Sequence, residues 1–137
     1  MTEAEVTESI NALYQSRLAN DVGRCLGHFA SNANFRVAGS LGASPIAKAS
    51  SAPASMRQQF TELIDVWEWQ SIEPQSLIIH GNRVASHYRL TVRHRPSGTI
   101  VNTEMVDLIT IENGRVTDFL EFLDTAMIVQ VAARTAR

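Results

Sequence analysis

The sequence predicts an α+β domain in which three N-terminal helices cover one face of a strongly curved antiparallel sheet. Two observations carry this prediction. Apolar residues recur every three or four positions through the first half of the chain, and at every second position from Trp69 onward. Short turn sequences separate the later segments. Helices followed by strands joined through tight turns are typical of an α+β domain with an antiparallel meander.

Three segments have helical periodicity. Residues 3–19 carry an apolar stripe that includes Leu13 and Tyr14, whereas Arg17 is expected to face water. A short second helix follows the cap pair Asn20-Asp21 and is expected to end near Ala30. A third helix starts at Pro53, and its stripe runs from Met56 to Trp67. A short strand at 34–38 and a long loop at 39–53 separate the second helix from the third.

Four further strands are predicted at 75–80, 84–95, 99–112 and 115–123. They are separated by Gly81-Asn82, by Pro96-Ser97-Gly98 and by Asn113-Gly114. Asn-Gly between two alternating segments is the strongest short signal for a hairpin. Long strands joined in this way pair with their neighbours in sequence order.

Composition limits the classes of function. The 137 residues, 45% hydrophobic and 19% charged, are expected to form one domain spanning 1–137. A net charge of −2 argues against nucleic acid as a partner. One cysteine, Cys25, allows no internal disulfide, and the polar, acidic N-terminus predicts a cytoplasmic protein. No apolar run approaches the roughly 20 residues that cross a membrane, so no membrane association is expected.

The register of the last three strands locates one unusual carboxylate, Asp107. Two-residue turns at Ser97-Gly98 and Asn113-Gly114 would place Asp107 opposite Tyr88 on one side and Leu120 on the other. This face is apolar, and Glu121 is expected on the opposite, mixed face. A single β-bulge in the last strand would move Glu121 to the face of Asp107.

A carboxylate among apolar neighbours costs roughly several kcal/mol unless its pKa shifts or a partner is supplied. Asp107 is therefore a candidate general acid or base, and Tyr14 and Tyr88 are candidate donors to a developing oxyanion. The structural alternative is a carboxylate satisfied by Tyr88 or exposed at a strand kink. Tyrosines that are merely buried are equally an alternative to catalytic ones.

Other residue types suggest no further chemistry. His80, His87 and His94 lack the cysteine or paired acid that would complete a metal site, so no metal is expected. Phe60 and Trp67 are either core residues or walls of a ligand pocket. Leu41 and Ile46, on the long loop, are expected to help close such a pocket.

Two phrases of the chain resemble a known superfamily. LANDVGRCLGHFASNANFRV (Leu18–Val37) and MVDLITIENGRVTDFLEFLD (Met105–Asp124) are similar, in order and spacing, to the entry and ending of nuclear transport factor 2-like proteins. The similarity is greatest to the ketosteroid isomerase-like and SnoaL-like polyketide cyclase branch. The resemblance implies a cone-shaped barrel, a pocket between the sheet and the helices, and a homodimer packed through the sheet.

The resemblance also implies roles for single residues. Asp107 matches the strand acid that stays protonated in ketosteroid isomerase and forms half of its oxyanion hole. The partner tyrosine of that enzyme falls at Leu13, next to Tyr14, and its general base falls at Val37. In cyclase-like and epoxide hydrolase-like relatives an acid on the final strand takes part. Here that acid is Glu121 or Asp124.

The function expected from these residues is proton transfer, without metal or organic cofactor, on a small apolar ligand that bears oxygen. Asp107, Tyr88, Tyr14, Asp124 and Glu121 are the candidate catalytic residues. The candidate ligand-binding residues are Phe60, Trp67, Leu90, Met105, Leu120 and Phe122. The alternative is a non-catalytic ligand-binding or dimerisation module on the same fold.

Overall fold

The computed structural model describes residues 1–40, 42, 44 and 46–134, which fold into four helices and six strands. In chain order the elements are α1 (Glu3–Leu18), α2 (Val22–Gly27), β1 (Phe29–Val37), β2 (Ala49–Ser50), α3 (Pro53–Val66), β3 (Trp67–His80), β4 (Arg83–His94), β5 (Ile100–Glu112), β6 (Arg115–Phe122) and α4 (Thr125–Ala133). Leu41, expected to help close a pocket, lies outside the described residues.

The strands form one sheet in the order β2-β1-β6-β5-β4-β3. All neighbours are antiparallel except β1 and β6, which run parallel. We call the face that α1 and α3 cover the inner face, and the opposite face the outer face. Buried apolar side chains from these helices and from the inner face form one core, which confirms the predicted α+β class. No helix of the described ranges is long and apolar enough to cross a bilayer.

The helices begin where the sequence supplies a cap. The Thr2 hydroxyl accepts a hydrogen bond from the Glu5 amide at 3.1 Å and starts α1, while Asp21 accepts from the Arg24 amide at 3.1 Å and starts α2. Pro53 occupies the first turn of α3. The second helix is shorter than expected, because the chain has already entered β1 at Phe29.

The β4–β5 hairpin departs from the predicted turn. Four residues, 95–98, form its loop, and the Gly98 amide donates to the His94 carbonyl at 2.8 Å. The predicted two-residue turn is therefore wrong, and Asp107 pairs with Ser86 instead of Tyr88. A slip of two residues leaves every side chain on its expected face, because side chains alternate with a period of two.

The β5–β6 hairpin has the predicted turn but not the predicted register. Asn113 and Gly114, with φ of 51° and 78°, form a two-residue turn between Glu112 and Arg115. Beyond it the register shifts by one, since Ile111 pairs with Val116 and Thr110 with Asp118. Thr117 is the extra residue of a β-bulge. The bulge turns Glu121 to the inner face, opposite Asp107.

The bulge also corrects two residues that were expected to bind ligand. Leu120 pairs with Leu108 and Phe122 with Val106, both on the outer face. The side chain of Phe122 is 45% exposed. Their predicted place on the face of Asp107 is wrong, because a one-residue shift exchanges the two faces of a strand.

Two strands begin earlier in the chain than predicted, and a helix follows the last strand. The predicted strand at 34–38 begins five residues earlier, and β3 begins at Trp67, a residue that was expected on the helical stripe. Asp124 starts a fourth helix by accepting a hydrogen bond from the Met127 amide at 3.0 Å. This C-terminal helix was not predicted.

Candidate active site

Three neighbouring strands present one polar row on the inner face. Ser86 on β4, Asp107 on β5 and Glu121 on β6 stand side by side and are all buried. Directly opposed residues on neighbouring strands have Cβ atoms about 4.5–5.5 Å apart, so the row brings two carboxyl groups and a hydroxyl together. Helix α1 lies over this row and adds Tyr14 and Arg17, which are three residues apart and share one face.

Asp107 is held by a tyrosine and is closed off from solvent. The Tyr14 hydroxyl donates a hydrogen bond to Oδ2 of Asp107 and lies 2.7 Å from Oγ of Ser86. A phenol has one proton, which Tyr14 gives to Asp107, so Ser86 acts as the donor to Tyr14. Asp107 is 0% exposed. The hydroxyl that bonds to this carboxyl is therefore that of Tyr14, whereas the structural alternative had named Tyr88.

The carboxyl of Asp107 also contacts another acid. Oδ1 accepts no hydrogen bond from a described donor, and its carboxyl is in contact with that of Glu121. Two acceptors can bond only if one of them carries a proton. Burial and the Glu121 charge raise the pKa of Asp107 well above its usual value, while the Tyr14 bond opposes the rise. Burial likewise raises the pKa of Glu121, against the Asp107 bond and the Arg17 charge.

Arg17 is the cation of this site. It is buried, and its guanidinium donates to the Trp67 carbonyl at 2.9 Å and to Oδ1 of Asn20 at 3.1 Å. Its central carbon lies 4.7 Å from the centre of the Trp69 ring, in cation–π contact. Burial lowers the pKa of Arg17 to about 10, which leaves it protonated at neutral pH. The expectation that Arg17 faces water is wrong.

Tyr88 supports the site without bonding to Asp107. Its ring centre lies 4.2 Å from that of Tyr14, with the two planes tilted by 50°. Burial and the nearby Asp107 charge raise the pKa of its hydroxyl. Tyr88 therefore packs against the tyrosine that holds Asp107 and fixes its position.

A cavity of about 60 Å³ lies between α1, α3 and the inner face. Asp107 is not among the residues that line it and sits one layer behind Tyr14 and Glu121. The half-buried Ile46, Leu63 and Met127 and the exposed Asp124 mark the mouth. The lining residues are Leu13, Tyr14, Arg17, Cys25, Phe29, Phe35, Ile46, Phe60, Leu63, Trp67, Trp69, Leu90, Val92, Thr103, Phe119, Glu121, Leu123, Asp124, Met127 and Ile128.

The sequence-predicted residues divide among three positions. Phe60, Trp67 and Leu90 contribute to the wall of the cavity, whereas Met105 is buried in the core and does not line it. Asp124 stands at the mouth, where one of its oxygens caps α4.

In the part of the chain that the structure describes, no three histidine, cysteine or acidic side chains are grouped so as to hold a metal ion.

Arg17 and Ser86 are the residues that sequence reasoning missed. Arg17 follows Tyr14 by three positions and Leu13 by four, spacings that place it on the buried stripe of α1. That spacing was the available signal. Arginine is rarely buried unless it is paired, so composition favoured the solvent face. Ser86 carries no signal of its own and depends on the length of the β4–β5 loop.

The helix-covered curved sheet gives this protein the nuclear transport factor 2-like fold. The sequence profile of the SnoaL-like domain family matches residues 10–119, so the chain belongs to that family. A comparison with curated protein sequences gives no significant match.

Solved structures of three proteins illustrate the shared fold. A provisionally assigned isomerase from Bacillus subtilis superposes with a TM-score of 0.84 and 15% identity, over 98% of this chain and 97% of its own. A provisionally assigned SnoaL-like polyketide cyclase from Jannaschia sp. CCS1 gives 0.76 and 16%, over 98% and 94%. An LEH-like epoxide hydrolase from M. tuberculosis gives 0.72 and 10%, over 97% and 92%. At these identities the likeness shows the fold alone.

Proposed function

We propose that the protein is an enzyme that moves a proton to or from a small, apolar ligand bearing a carbonyl or hydroxyl oxygen, without metal or organic cofactor. The observation that carries this proposal is the position of Glu121. Its carboxyl lines the cavity and at the same time contacts the buried carboxyl of Asp107. An acid in such a place has both access to a ligand and a raised pKa, which general acid–base catalysis near neutral pH needs.

The two carboxyls act as one titrating unit. Two neighbouring buried carboxylates repel each other, so the pair keeps a proton well above the ordinary carboxyl pKa. One shared proton leaves one negative charge, which serves as the base. When Glu121 takes a proton from a carbon next to a ligand carbonyl, the C–H bond breaks, an O–H bond forms on Glu121, and the electron pair moves to the carbonyl oxygen as an enolate.

The other candidate residues take supporting roles. Asp107 is a positioning residue, because Tyr14 and Glu121 stand between it and the cavity. Tyr14 has its proton committed to Asp107, so it orients that carboxyl and leaves the ligand oxygen to another donor. Asp124 is exposed and caps α4, whereas Glu121 is buried. We therefore assign the moving proton to Glu121 instead of Asp124.

The test measures deuterium exchange at the α-carbons of 2-indanone in D₂O by NMR. This probe needs no knowledge of the natural substrate. Glu121→Gln is expected to lower the enzyme-dependent exchange rate by about 10²–10⁴-fold, the usual contribution of a general base. Asp118→Asn is the matched control, since Asp118 is an exposed acid on the same strand and is expected to exchange like the wild type. Equal rates in wild type and Glu121→Gln would refute the proposal.

A second candidate is a non-catalytic binding module on the same scaffold. The observation that favours it is the filling of the cavity by bulky side chains, since Phe60 and Trp67 form part of its wall and about 60 Å³ is left open. A module predicts ligand binding with no exchange above buffer in the wild type. The same NMR experiment therefore separates the two candidates.

We also propose that the protein forms a homodimer through the outer face. Val106, Leu108 and Phe122 are 36–45% exposed and lie on the paired strands β5 and β6. Exposed apolar side chains that are grouped in this way mark interaction surfaces. A second copy of the chain, packed sheet to sheet, would cover them.

A further inference from the structure

The structure assigns to the cavity a ligand whose oxygen is anionic, or becomes anionic during the reaction, and assigns Arg17 as the group that binds this oxygen. A carboxylate, an enolate and a phenolate belong to this class. The inference deepens the proposed function and rests on it, because it concerns the same cavity.

The hydrogen bonds of Arg17 leave donors free. A guanidinium has five N–H groups, and within residues 1–40, 42, 44 and 46–134 Arg17 uses one on the Trp67 carbonyl and one on Asn20. Both bonds hold the head group at the end of α1, and the Trp69 ring covers one of its faces. The guanidinium is thus fixed in place, and Arg17 is one of the residues that line the cavity.

The charge of Arg17 is not cancelled by a direct ion pair. Of the ion pairs within 4.0 Å among the described residues, none involves Arg17. Glu121 acts on it through space, but the Glu121 carboxyl is engaged with Asp107. A buried cation is normally paired, but neither Glu121 nor Asp124, the two acids that line the same cavity, lies within 4.0 Å of Arg17, so an anionic guest beside Arg17 is favoured.

Proton transfer makes this argument stronger. When the pair of carboxyls takes a proton from the ligand, the pair becomes neutral and the ligand becomes an anion. Arg17 is then the cation that lines the cavity beside the new charge. Tyr14 cannot replace it, since the Tyr14 proton is given to Asp107. Apart from Cys25, Thr103 and the acids, the remaining wall is aromatic and aliphatic, which suits a flat carbon skeleton.

The test compares benzoate with benzamide, which share a shape and differ in charge at neutral pH. NMR titration of the wild type is expected to show benzoate binding about tenfold or more tightly, as a charge-assisted bond predicts. Arg17→Gln is expected to bind the two probes equally, and Arg17→Lys to recover part of the preference. Arg57→Gln removes an exposed arginine of α3 and is expected to keep it in full.

Equal binding of both probes by the wild type, or binding of neither, would overturn the inference. A preference that survives in Arg17→Gln would do the same. If Arg17→Gln does not fold, the side-chain Nε–H resonance of Arg17 in the wild type decides. Benzoate is expected to shift it and benzamide to leave it in place, whereas a resonance that is unmoved by bound benzoate contradicts the assignment.

Glu121→Gln separates this inference from the proposed function. The benzoate preference is expected to remain in that variant, because Arg17 is intact, while 2-indanone exchange is lost. Exchange that does not depend on Glu121, together with a preference that depends on Arg17, would refute the proposed function and support the anion site. The opposite result would refute the anion site alone.

Discussion

The two hairpins that flank Asp107 set their registers in different ways. In β4–β5 the register depends on the length of the loop. Because the loop has four residues instead of the predicted two, the pairing of the strands shifts by two positions. In β5–β6 the turn is tight and regular, and one bulged residue, Thr117, shifts the register by a single position. The first difference leaves the faces unchanged, whereas the second exchanges them. A single extra residue thus decides whether the inner face carries one carboxyl or two.

Deleting Leu120 is the strongest way to break this contrast. The deletion is expected to move Glu121 into the place of Leu120 on the outer face and to turn Phe122 inward, opposite Asp107. Exchange of 2-indanone should fall by about 10²–10⁴-fold, because the base leaves the cavity. Thermal unfolding should also show lower stability, since a refitted core loses contacts. Deleting Thr117 is the matched control, because it removes only the extra residue of the bulge, leaves Glu121 paired with Asp107 and is expected to retain activity. An active Leu120 deletion would contradict the role of the strand register.

Asp107→Asn tests the coupling across the same two strands. The pH–rate profile of the wild type should show two ionisations of the pair, and the variant should show one. The exchange rate is expected to fall by about 10²-fold, at the lower end of general acid–base contributions. Asn at this position keeps the shape, so the fold is expected to survive. An unchanged profile would remove Asp107 from the mechanism.

The same variant changes how stability depends on pH. Both acids have folded-state pKa values above their ordinary values of 3.8 and 4.5, so above these values the folded protein binds more protons than the unfolded chain. The free energy of unfolding must therefore fall as pH rises toward the raised pKa values. Urea denaturation across this range should show a smaller fall in Asp107→Asn than in Asp118→Asn, which serves as the control.

Tyr14→Phe is expected to have a more moderate effect on the same row. Loss of the Tyr14 hydroxyl leaves the buried Oδ2 of Asp107 without its donor. The free energy of unfolding should drop by about 1–3 kcal/mol, the cost of an unsatisfied buried polar group. Tyr88→Phe is the matched control, because that ring is equally buried but does not bond to Asp107, and it should cost less in urea denaturation. Equal losses in the two variants would contradict the special place of Tyr14.

A substitution on the outer face is expected to have the smallest effect on the exchange rate. Phe122→Asp places a charge among Val106 and Leu108, and light scattering is expected to show a monomer where the wild type is a dimer. Exchange of 2-indanone should stay within about twofold of the wild type, because Phe122 points away from the cavity. Val129→Asp changes an exposed residue of α4 and should leave the mass unchanged. A wild type that is already monomeric would refute the dimer.

The sequence was sufficient to predict the class of fold and that Asp107 lies on the inner face. It was not sufficient where the position of a side chain depends on a single inserted residue. The helical and strand periods of the two halves are strong, repeated signals, so the order of helices and strands followed from them. The place of Glu121 depended on one bulge at Thr117, a residue whose type is ordinary in a strand. The position of a bulge depends on how well all strands of the sheet pair, and this cannot be read from a local sequence pattern.

Arg17 illustrates the opposite difficulty. Its spacing from Tyr14 predicted that it lies on the buried face of α1, whereas its charge predicted that it lies on the exposed face. The prediction was based on the charge. Tertiary contacts decide between the two predictions, because the backbone carbonyl of Trp67 and the ring of Trp69 supply partners for the guanidinium of Arg17. Both residues lie some fifty positions further along the chain, so the sequence near Arg17 could not show them.

The pairing of Val37 with Glu121 on the parallel strands β1 and β6 has a geometric consequence for substrates. Val37 stands where the resemblance to ketosteroid isomerase expects the base, and the acid stands one strand away. Neighbouring strands lie about 4.8 Å apart, a distance of roughly three carbon–carbon bonds of 1.5 Å. A molecule seated in the same orientation would therefore bring a different carbon next to this acid, and under the proposed function that carbon is the one expected to exchange its proton.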